Sequence, residues 1–260
     1  MSRREGPRTV LLTGASGVIG QALALEYARP DTTLLLFGRN EEQLQSIAQQ
    51  CKSSGAIVHT WSMDLTEPER AIPALLAADD AHQIDLAIAN AGVMAPSTTA
   101  SERWEDIERT LNINVTACLS LAATLAERMV KRGHGQIALM SSIASFHGMP
   151  GAPSYSASKA AVRVFGEALR ARLVGTGVRV CVVSPGYVRS PMGNAFPAFK
   201  MGVLSPEKTA RHIVRSLARG HRRITFPYML ALATSLLALL PAAVSDHVLR
   251  LISGRNRGIH

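Results

Sequence analysis

A short apolar strand that runs directly into a glycine-rich turn and then a helix pattern constrains the fold most tightly. The strand pattern covers residues 8–12 and the helix pattern continues through residue 28. Glycines permit a tight turn and let backbone N–H groups approach a pyrophosphate, which the positive end of the following helix favours. This pattern predicts a dinucleotide site formed by Thr13, Gly14, Ser16, Gly17, Val18, Ile19 and Gly20.

The alternation of elements along the rest of the chain predicts the architecture. Short Val, Leu and Ile runs alternate with helical patterns over the 260 residues, which is typical of a parallel sheet covered by helices on both faces. We predict one doubly wound α/β domain, a Rossmann fold, over residues 1–226, followed by a helical segment over residues 227–260. No internal repeat or linker interrupts the pattern.

Tyr155 and Lys159 stand four residues apart at the start of an Ala-rich helix pattern. This spacing places both side chains on one helix face. A phenol normally keeps its proton to about pH 10, but an ammonium group one turn away favours the phenolate and lowers that pKa. The pair therefore predicts a general acid/base, although a surface Tyr and Lys at helical spacing would look the same.

Ser142 follows an apolar run over residues 136–140 that we interpret as a buried strand. A hydroxyl at the carboxyl end of a strand is well placed to contact a ligand. Together with Asn114, Tyr155 and Lys159, Ser142 resembles the Asn, Ser, Tyr and Lys tetrad of the short-chain dehydrogenase/reductase family. The resemblance extends over roughly residues 8–226.

The resemblance implies hydride transfer between a nicotinamide cofactor and a carbonyl or alcohol carbon. Tyr155 would then exchange the proton with the substrate oxygen, and Ser142 would hydrogen-bond that oxygen. Lys159 would lower the Tyr155 pKa and bind the nicotinamide ribose, and Asn114 would hold a water that connects Lys159 to solvent. Pseudoenzymes of such folds often lose the acid, so the intact tetrad favours catalysis over the alternative, a membrane-associated NADP(H)-binding regulator or scaffold without turnover.

Further landmarks of the family follow in order. Asp64 and Leu65 resemble the adenine-side contact, although Asp64 could instead cap a helix before Glu67. A turn after the fourth strand, 86–89, and another after the strand at 178–183 complete the cofactor-binding set: Asn90, Ala91, Gly92, Pro185, Gly186 and Val188. The sequence departs from the family at Val18, where short members usually have glycine.

Arg39 indicates which cofactor is used. It follows the second strand, 33–37, where the adenosine ribose of a dinucleotide is recognised, and no acidic residue stands there. A guanidinium can form a forked contact with a ribose phosphate, whereas an acidic residue would repel it. We therefore predict NADP(H) over NAD(H), with a solvated Arg39 as the alternative.

Cysteines and histidines give no sign of a metal site or a disulfide framework. The three cysteines are widely spaced and form no CxxC pair, and the histidines lack metal spacing. The N-terminal apolar run is too short for the hydrophobic region of a signal peptide. We expect a cytoplasmic protein without a metal, and the family resemblance implies a homodimer or homotetramer.

The C-terminal segment combines basic and apolar character. Residues 201–260 contain nine Lys or Arg and two acidic residues, yet residues 224–245 carry no charge at all. We predict two amphipathic helices on a bilayer surface, with arginines reaching lipid phosphates. Equally compatible are helices that close the substrate pocket or form a dimer contact. No stacking platform or recognition helix accompanies the arginines, so nucleic acid is not an expected partner.

Substrate preference is expected to reside in the loop 190–204. Its side chains include Met192, Phe196, Phe199 and Met201. Lys200 is the one charged residue of this loop. An apolar or lipid-like carbonyl is therefore the predicted substrate. The alternative is an anionic sugar or acyl conjugate, which Lys200 and the basic tail would bind.

Overall fold

A seven-stranded parallel sheet forms the centre of the computed structural model, which describes residues 6–95, 101–191 and 202–252. The strands are β1 (Thr9–Thr13), β2 (Thr33–Gly38), β3 (Ile57–Ser62), β4 (Leu86–Ala89), β5 (Gly135–Met140), β6 (Val178–Pro185) and β7 (Arg223–Phe226). Their order is β3-β2-β1-β4-β5-β6-β7, with every neighbouring pair parallel. This order confirms the predicted doubly wound α/β fold, with its switch point between β1 and β4.

Helices cover both faces of this sheet. They are α1 (Val18–Tyr27), α2 (Glu41–Ser53), α3 (Pro68–His82), α4 (Trp104–Leu111), α5 (Cys118–Arg132), α6 (Pro153–Arg172), α7 (Pro206–Ala218), α8 (Tyr228–Leu237) and α9 (Ala242–Ile252). A π-helical turn, Asn112–Ala117, joins α4 to α5, and a short 3₁₀ turn, Ile143–Ser145, follows β5. The strands predicted from apolar runs are present, and their ends differ from the predicted ones by at most two residues.

The continuous apolar runs of the strands follow from burial on both faces. Successive side chains of a strand point to opposite faces, and Leu11 and Leu12 show this clearly. Leu12 belongs to a core cluster that includes Leu23 of α1 and Leu44 of α2. Leu11 belongs to a second cluster that includes Leu125 of α5. The sheet is therefore held between two apolar layers.

The continuous helical stretch Trp104–Arg132 is long and apolar enough to cross a membrane by length and composition. Half of its apolar window is buried inside the fold, however. Leu121, Leu125 and Met129 of this stretch are buried in the cluster that also contains Leu139 of β5. We therefore interpret it as a core helix of the α/β domain.

Candidate functional site

A cavity of about 570 Å³ opens at the carboxyl ends of the strands. We call it the main cavity. It runs from the glycine turn and Arg39, past the end of β4, to Ser142 and Tyr155. All of the predicted cofactor-binding and catalytic residues line it except Thr13 and Asn114. The chain therefore brings the predicted site residues together at one edge of the sheet, where ligands of this fold class bind.

The glycine turn has the close contacts that its sequence predicts. Gly14 adopts a φ of +64°, and a Cβ atom on Gly20 would lie 2.1 Å from the Gly14 carbonyl oxygen, so a side chain at Gly20 would force the turn apart. Gly17 precedes α1 without a side-chain cap. Gly17, Val18 and Ile19 all line the main cavity. The uncapped start of α1 therefore faces open space that suits a phosphate.

Thr13 supports this turn from behind. Its hydroxyl accepts hydrogen bonds from the backbone N–H groups of Asn90 (3.0 Å) and Ala91 (3.1 Å). The Asn90 side-chain amide in turn donates to the carbonyls of Thr13 (3.0 Å) and Gly14 (3.2 Å). These bonds hold the end of β4 against the end of β1. Thr13 and Asn90 together therefore stabilise the glycine turn.

Arg39 and Asp64, both predicted to contact the cofactor, lie close together in the main cavity. Arg39 Nη1 is 3.8 Å from Asp64 Oδ2, and the Arg39 side chain is half exposed. Burial alone would raise the pKa of Asp64, but hydrogen bonds from Thr66 and the nearby Arg39 charge lower it overall. Asp64 accepts both the backbone N–H and the hydroxyl of Thr66, and α3 begins with Glu67 as its N-cap. Asp64 therefore does not cap that helix.

Asn114 sits in the π-helical turn between α4 and α5 and is buried. Its Oδ1 accepts the Val93 N–H at 2.8 Å, and its Nδ2 donates to the Val93 carbonyl and to Ser158 Oγ, both at 2.9 Å. Ser158 Oγ donates to the Tyr155 carbonyl at 2.7 Å. Asn114 thus links the segment after β4 to the first turns of α6. The extra residue of a π turn commonly marks a functional site.

Tyr155 and Lys159 project from the amino-terminal half of α6 into the main cavity. Burial raises the pKa of Tyr155, and a hydrogen bond with Ser142 opposes that rise. The predicted net lowering of the Tyr155 pKa is therefore wrong. Lys159 Nζ lies 5.7 Å from the centre of the Tyr155 ring and donates to the Met140 carbonyl at 2.9 Å. The loss of phenolate hydration therefore outweighs any attraction to the ammonium.

Lys159 is itself strongly affected by its surroundings. Burial lowers its pKa to about 8, because an ammonium ion loses hydration in the interior. A Cβ atom placed on Gly92 would lie 3.2 Å from Lys159 Nζ and equally close to Asn114 Oδ1. Glycine at this position therefore leaves room for the ammonium beside the end of β4.

The far end of the cavity is formed by the segment after β6. Gly186 N–H donates to the Phe226 carbonyl at 2.7 Å, which ties this segment to the end of β7. Val188 pairs with Leu204 in an isolated parallel bridge. Pro185, Gly186 and Val188, which the sequence predicts as cofactor contacts, all line the cavity.

Several lining residues were not predicted. Gln43 of α2 and Leu230 and Thr234 of α8 line the main cavity. Further apolar lining residues are Met63, Val93, Met94, Ile113, Met140, Ile143, Ala144, Met149, Ala152 and Pro191. No motif marks these positions, because they become neighbours only when distant elements fold together. The predicted specificity residues Met192, Phe196, Phe199, Lys200 and Met201 lie outside the described residues.

Residues 8–200 match the model of the short chain dehydrogenase family. An uncharacterized oxidoreductase of Myxococcus xanthus is 34% identical over 94% of this chain and 96% of its own length. Estradiol 17-beta-dehydrogenase 11 of Rattus norvegicus is 28% identical over 94% of this chain and 83% of its own. A solved short-chain dehydrogenase from Sphingobium yanoikuyae, in complex with NADPH, superposes with a TM-score of 0.79 at 27% identity, covering 96% of this chain and 98% of that one.

Proposed function

Because the chain belongs to the short chain dehydrogenase family, we propose that it is an NADP(H)-dependent oxidoreductase that interconverts an apolar carbonyl and its alcohol. The observation that carries this proposal is the convergence of Ser142, Tyr155 and Lys159 on the main cavity that also contains the glycine turn. The proposed proton donor, Tyr155, and the proposed dinucleotide site thus lie in the same cavity. The family supplies the reaction class, oxidation and reduction of alcohol and carbonyl groups.

The residues present fit a dinucleotide. The uncapped start of α1 offers backbone N–H groups for the pyrophosphate, and Lys159 together with Tyr155 would contact the nicotinamide ribose. When bound, the reduced nicotinamide supplies the hydride. The similarity to a short-chain dehydrogenase solved in complex with NADPH supports this assignment.

In the reductive direction, Tyr155 gives its hydroxyl proton to the carbonyl oxygen as that oxygen becomes negative. The raised pKa of Tyr155 keeps the phenol protonated at neutral pH, as a general acid requires. Ser142 is positioned to donate a hydrogen bond to the same oxygen, which matters most when charge develops there. Alcohol oxidation uses the same groups in reverse, with Tyr155 accepting the proton.

Arg39 supports NADP(H) over NAD(H). It lines the cavity with a half-exposed guanidinium, which can form charge-assisted hydrogen bonds with a ribose phosphate. Asp64 already attracts this guanidinium at 3.8 Å, so a phosphate would compete with the carboxylate. Gln43, which lines the same end, adds a neutral donor to the subsite.

An apolar substrate is supported by the charges of the cavity wall. Among the described residues, its charged side chains are Arg39, Asp64 and Lys159, and all three belong to the cofactor half. The described part of the substrate half offers hydroxyl groups and apolar surface. A phosphorylated or carboxylated substrate would leave its charge unpaired against this surface, which is costly.

The test is turnover of purified protein with NADPH or NADH against carbonyls that range from short and polar to long and apolar. We expect consumption of NADPH with apolar carbonyls, and no turnover by Tyr155→Phe with NADPH binding retained. Turnover by Tyr155→Phe equal to that of the parent protein would refute the assignment of the acid. Cofactor binding without turnover of any carbonyl would instead favour a regulator that binds NADP(H).

A further inference from the structure

Helix α8 separates the main cavity from the outside. Leu230 and Thr234 line the cavity, and Ala231 between them is buried. On the same helix, Tyr228 and Met229 are 71% and 73% exposed. Within the described part of the chain, one layer of helix therefore stands between the substrate half of the cavity and the surrounding medium.

The outside of this helix and of the segment that follows it is apolar. Its large exposed side chains, which we call the apolar outer face, are Tyr228, Met229, Leu232, Leu236, Leu239, Leu240 and Val244. Residues 224–245 contain no charged side chain. Isolated exposed apolar residues are ordinary, but a group of seven on consecutive turns indicates a surface that is covered in use.

The length of α8 excludes a membrane span by this helix alone. Its ten residues give about 15 Å of helix, whereas a bilayer core is about 30 Å thick. A helix of this kind can instead lie in the bilayer surface with its apolar side chains in the boundary between headgroups and acyl chains. Tyr228 at its start is the kind of residue that favours this boundary.

The charges on the helices that precede and follow α8 favour an anionic surface over a second copy of the chain. Lys208 on α7 and Arg250 on α9 are exposed and form no ion pair among the described residues. The chain has a formal net charge of +9, so two copies repel each other while an anionic bilayer attracts the protein.

Not all of the predicted arginines can take part. Arg222 and Arg223 lie at the amino end of β7, and α8 begins beyond its carboxyl end, about 13 Å away at 3.3 Å per residue. Arg223 also forms an ion pair with Glu167. The cations that remain candidates for contact with lipid phosphates are therefore those on α7 and α9.

We propose that the apolar outer face docks on an anionic lipid bilayer, with α8 as the wall across which an apolar substrate enters the main cavity from the membrane. The docking stands on the exposed side chains and charges alone. The entry route rests in addition on the proposed carbonyl chemistry. Vesicle binding requires no turnover, so its result is independent of whether that chemistry is correct.

The test compares Met229→Glu/Leu239→Glu with the parent protein in co-sedimentation with phosphatidylcholine vesicles, with and without phosphatidylserine. Both residues are exposed, Leu239 to 80%, so the double variant should fold. The matched control is Trp104→Glu/Val174→Glu, which changes exposed apolar residues outside the apolar outer face. We expect the parent and the control to bind phosphatidylserine vesicles, and the double variant to bind about tenfold or more weakly.

Two results would overturn the docking. One is a parent protein that stays in the supernatant with phosphatidylserine vesicles, and the other is vesicle binding that survives Met229→Glu/Leu239→Glu. If that variant instead converts a dimer to a monomer in light scattering without altering vesicle binding, the face is a contact between copies. For the entry route, we expect the variant to lose turnover of a carbonyl embedded in vesicles while keeping turnover of a water-soluble one; equal loss of both would refute entry across α8.

Discussion

The carboxylate of Glu102 accepts two hydrogen bonds from Ser154, one from its backbone N–H and one from its hydroxyl, both at 2.9 Å. Ser154 lies in the first turn of α6, immediately before Tyr155. The N-terminal N–H groups of a helix need partners from outside the helix, and a carboxylate also complements the helix dipole there. Glu102 therefore anchors the start of the helix that carries the proton donor.

Replacing Glu102 by Ala should weaken both stability and catalysis. We expect the free energy of unfolding to fall by about 1–2 kcal/mol, as when a helix cap is removed. Turnover should fall by a larger factor than the affinity for NADPH, because the first turn of α6 is displaced whereas the glycine turn and Arg39 are not. Urea denaturation and steady-state kinetics measure the two effects.

Glu105→Ala is the matched control for this prediction. Glu105 lies in the first turn of α4 and pairs with Arg103 at the surface, and none of the hydrogen bonds described joins it to α6. Surface pairs of this kind contribute little. A Glu102→Ala protein as stable and as active as Glu105→Ala would show that the Ser154 contact has no anchoring role.

Lys159 should lower the stability of the fold while serving the reaction. Burial depresses its pKa from 10.5 to about 8, so below pH 8 the folded protein holds a charge that the unfolded chain solvates better. Lys159→Met should therefore raise the free energy of unfolding at pH 7 by about 1–3 kcal/mol, less than the pKa shift alone implies because the bond to Met140 is lost. The same variant should lose turnover.

The pH dependence of the free energy of unfolding distinguishes removal of the buried Lys159 charge from improved packing by methionine. Between pH 8 and 10.5 the unfolded chain binds more protons than the folded one, so the stability of the parent protein rises with pH. The advantage of Lys159→Met should shrink across that window. An advantage that stays constant with pH, measured by denaturation at several pH values, would show that the charge is not its source.

The pKa of Lys159 also predicts how the rate of carbonyl reduction depends on pH. Above pH 8 Lys159 loses its charge, which removes a cation that lies 5.7 Å from the centre of the Tyr155 ring. We expect kcat/KM for reduction to fall as pH rises through about 8. Oxidation, which needs a phenolate or an equivalent base, should instead increase with pH because burial raises the Tyr155 pKa. Parallel profiles in the two directions would contradict these roles.

Arg39 and Asp64 allow a direct test of cofactor choice. Arg39→Ser should raise the KM for NADPH about tenfold to 100-fold, since a charge-assisted hydrogen bond contributes about 1.5–3 kcal/mol, and should leave the KM for NADH nearly unchanged. The matched control is Arg70→Ser, because Arg70 is also exposed and paired with an acidic residue, Glu67, but does not line the cavity. If Arg39→Ser raised the KM for NADPH and the KM for NADH equally, Arg39 would not be part of a site for the ribose phosphate.

How much of this site the sequence reveals depends on how local each signal is. The glycine turn and the Tyr155–Lys159 pair are predictable, because one turn or one helix fixes them. The Tyr155 pKa was predicted in the wrong direction, because four-residue spacing shows proximity and not burial. Leu230 of α8 and Glu102 could not be predicted as neighbours of the site, because tertiary packing alone brings them there.

Asp79 provides a buried ion pair remote from the chemistry. Its carboxylate accepts hydrogen bonds from Arg128 Nε at 2.9 Å, from Arg132 Nη1 at 2.6 Å and from the Ile84 N–H at 3.0 Å. Burial would raise the pKa of Asp79, but these bonds lower it overall. They join the end of α3 to α5 and to the residues before β4. The stability that this depressed pKa contributes is present above pH 3.8 and is lost as pH falls further.

Asp79→Asn should therefore lower the free energy of unfolding at pH 7 by about 3–5 kcal/mol, because two arginines lose their buried counter-charge. Asp80→Asn is a close control, since Asp80 is the next residue on the same helix and contacts Arg128, yet lies at the surface, where loss of an ion pair costs about 1 kcal/mol or less. Denaturation at pH 7 measures both. Equal losses in the two variants would show that burial of the carboxylate adds nothing to its contribution. A difference of the expected size would show that the buried Asp79 carboxylate helps to hold α3 against α5.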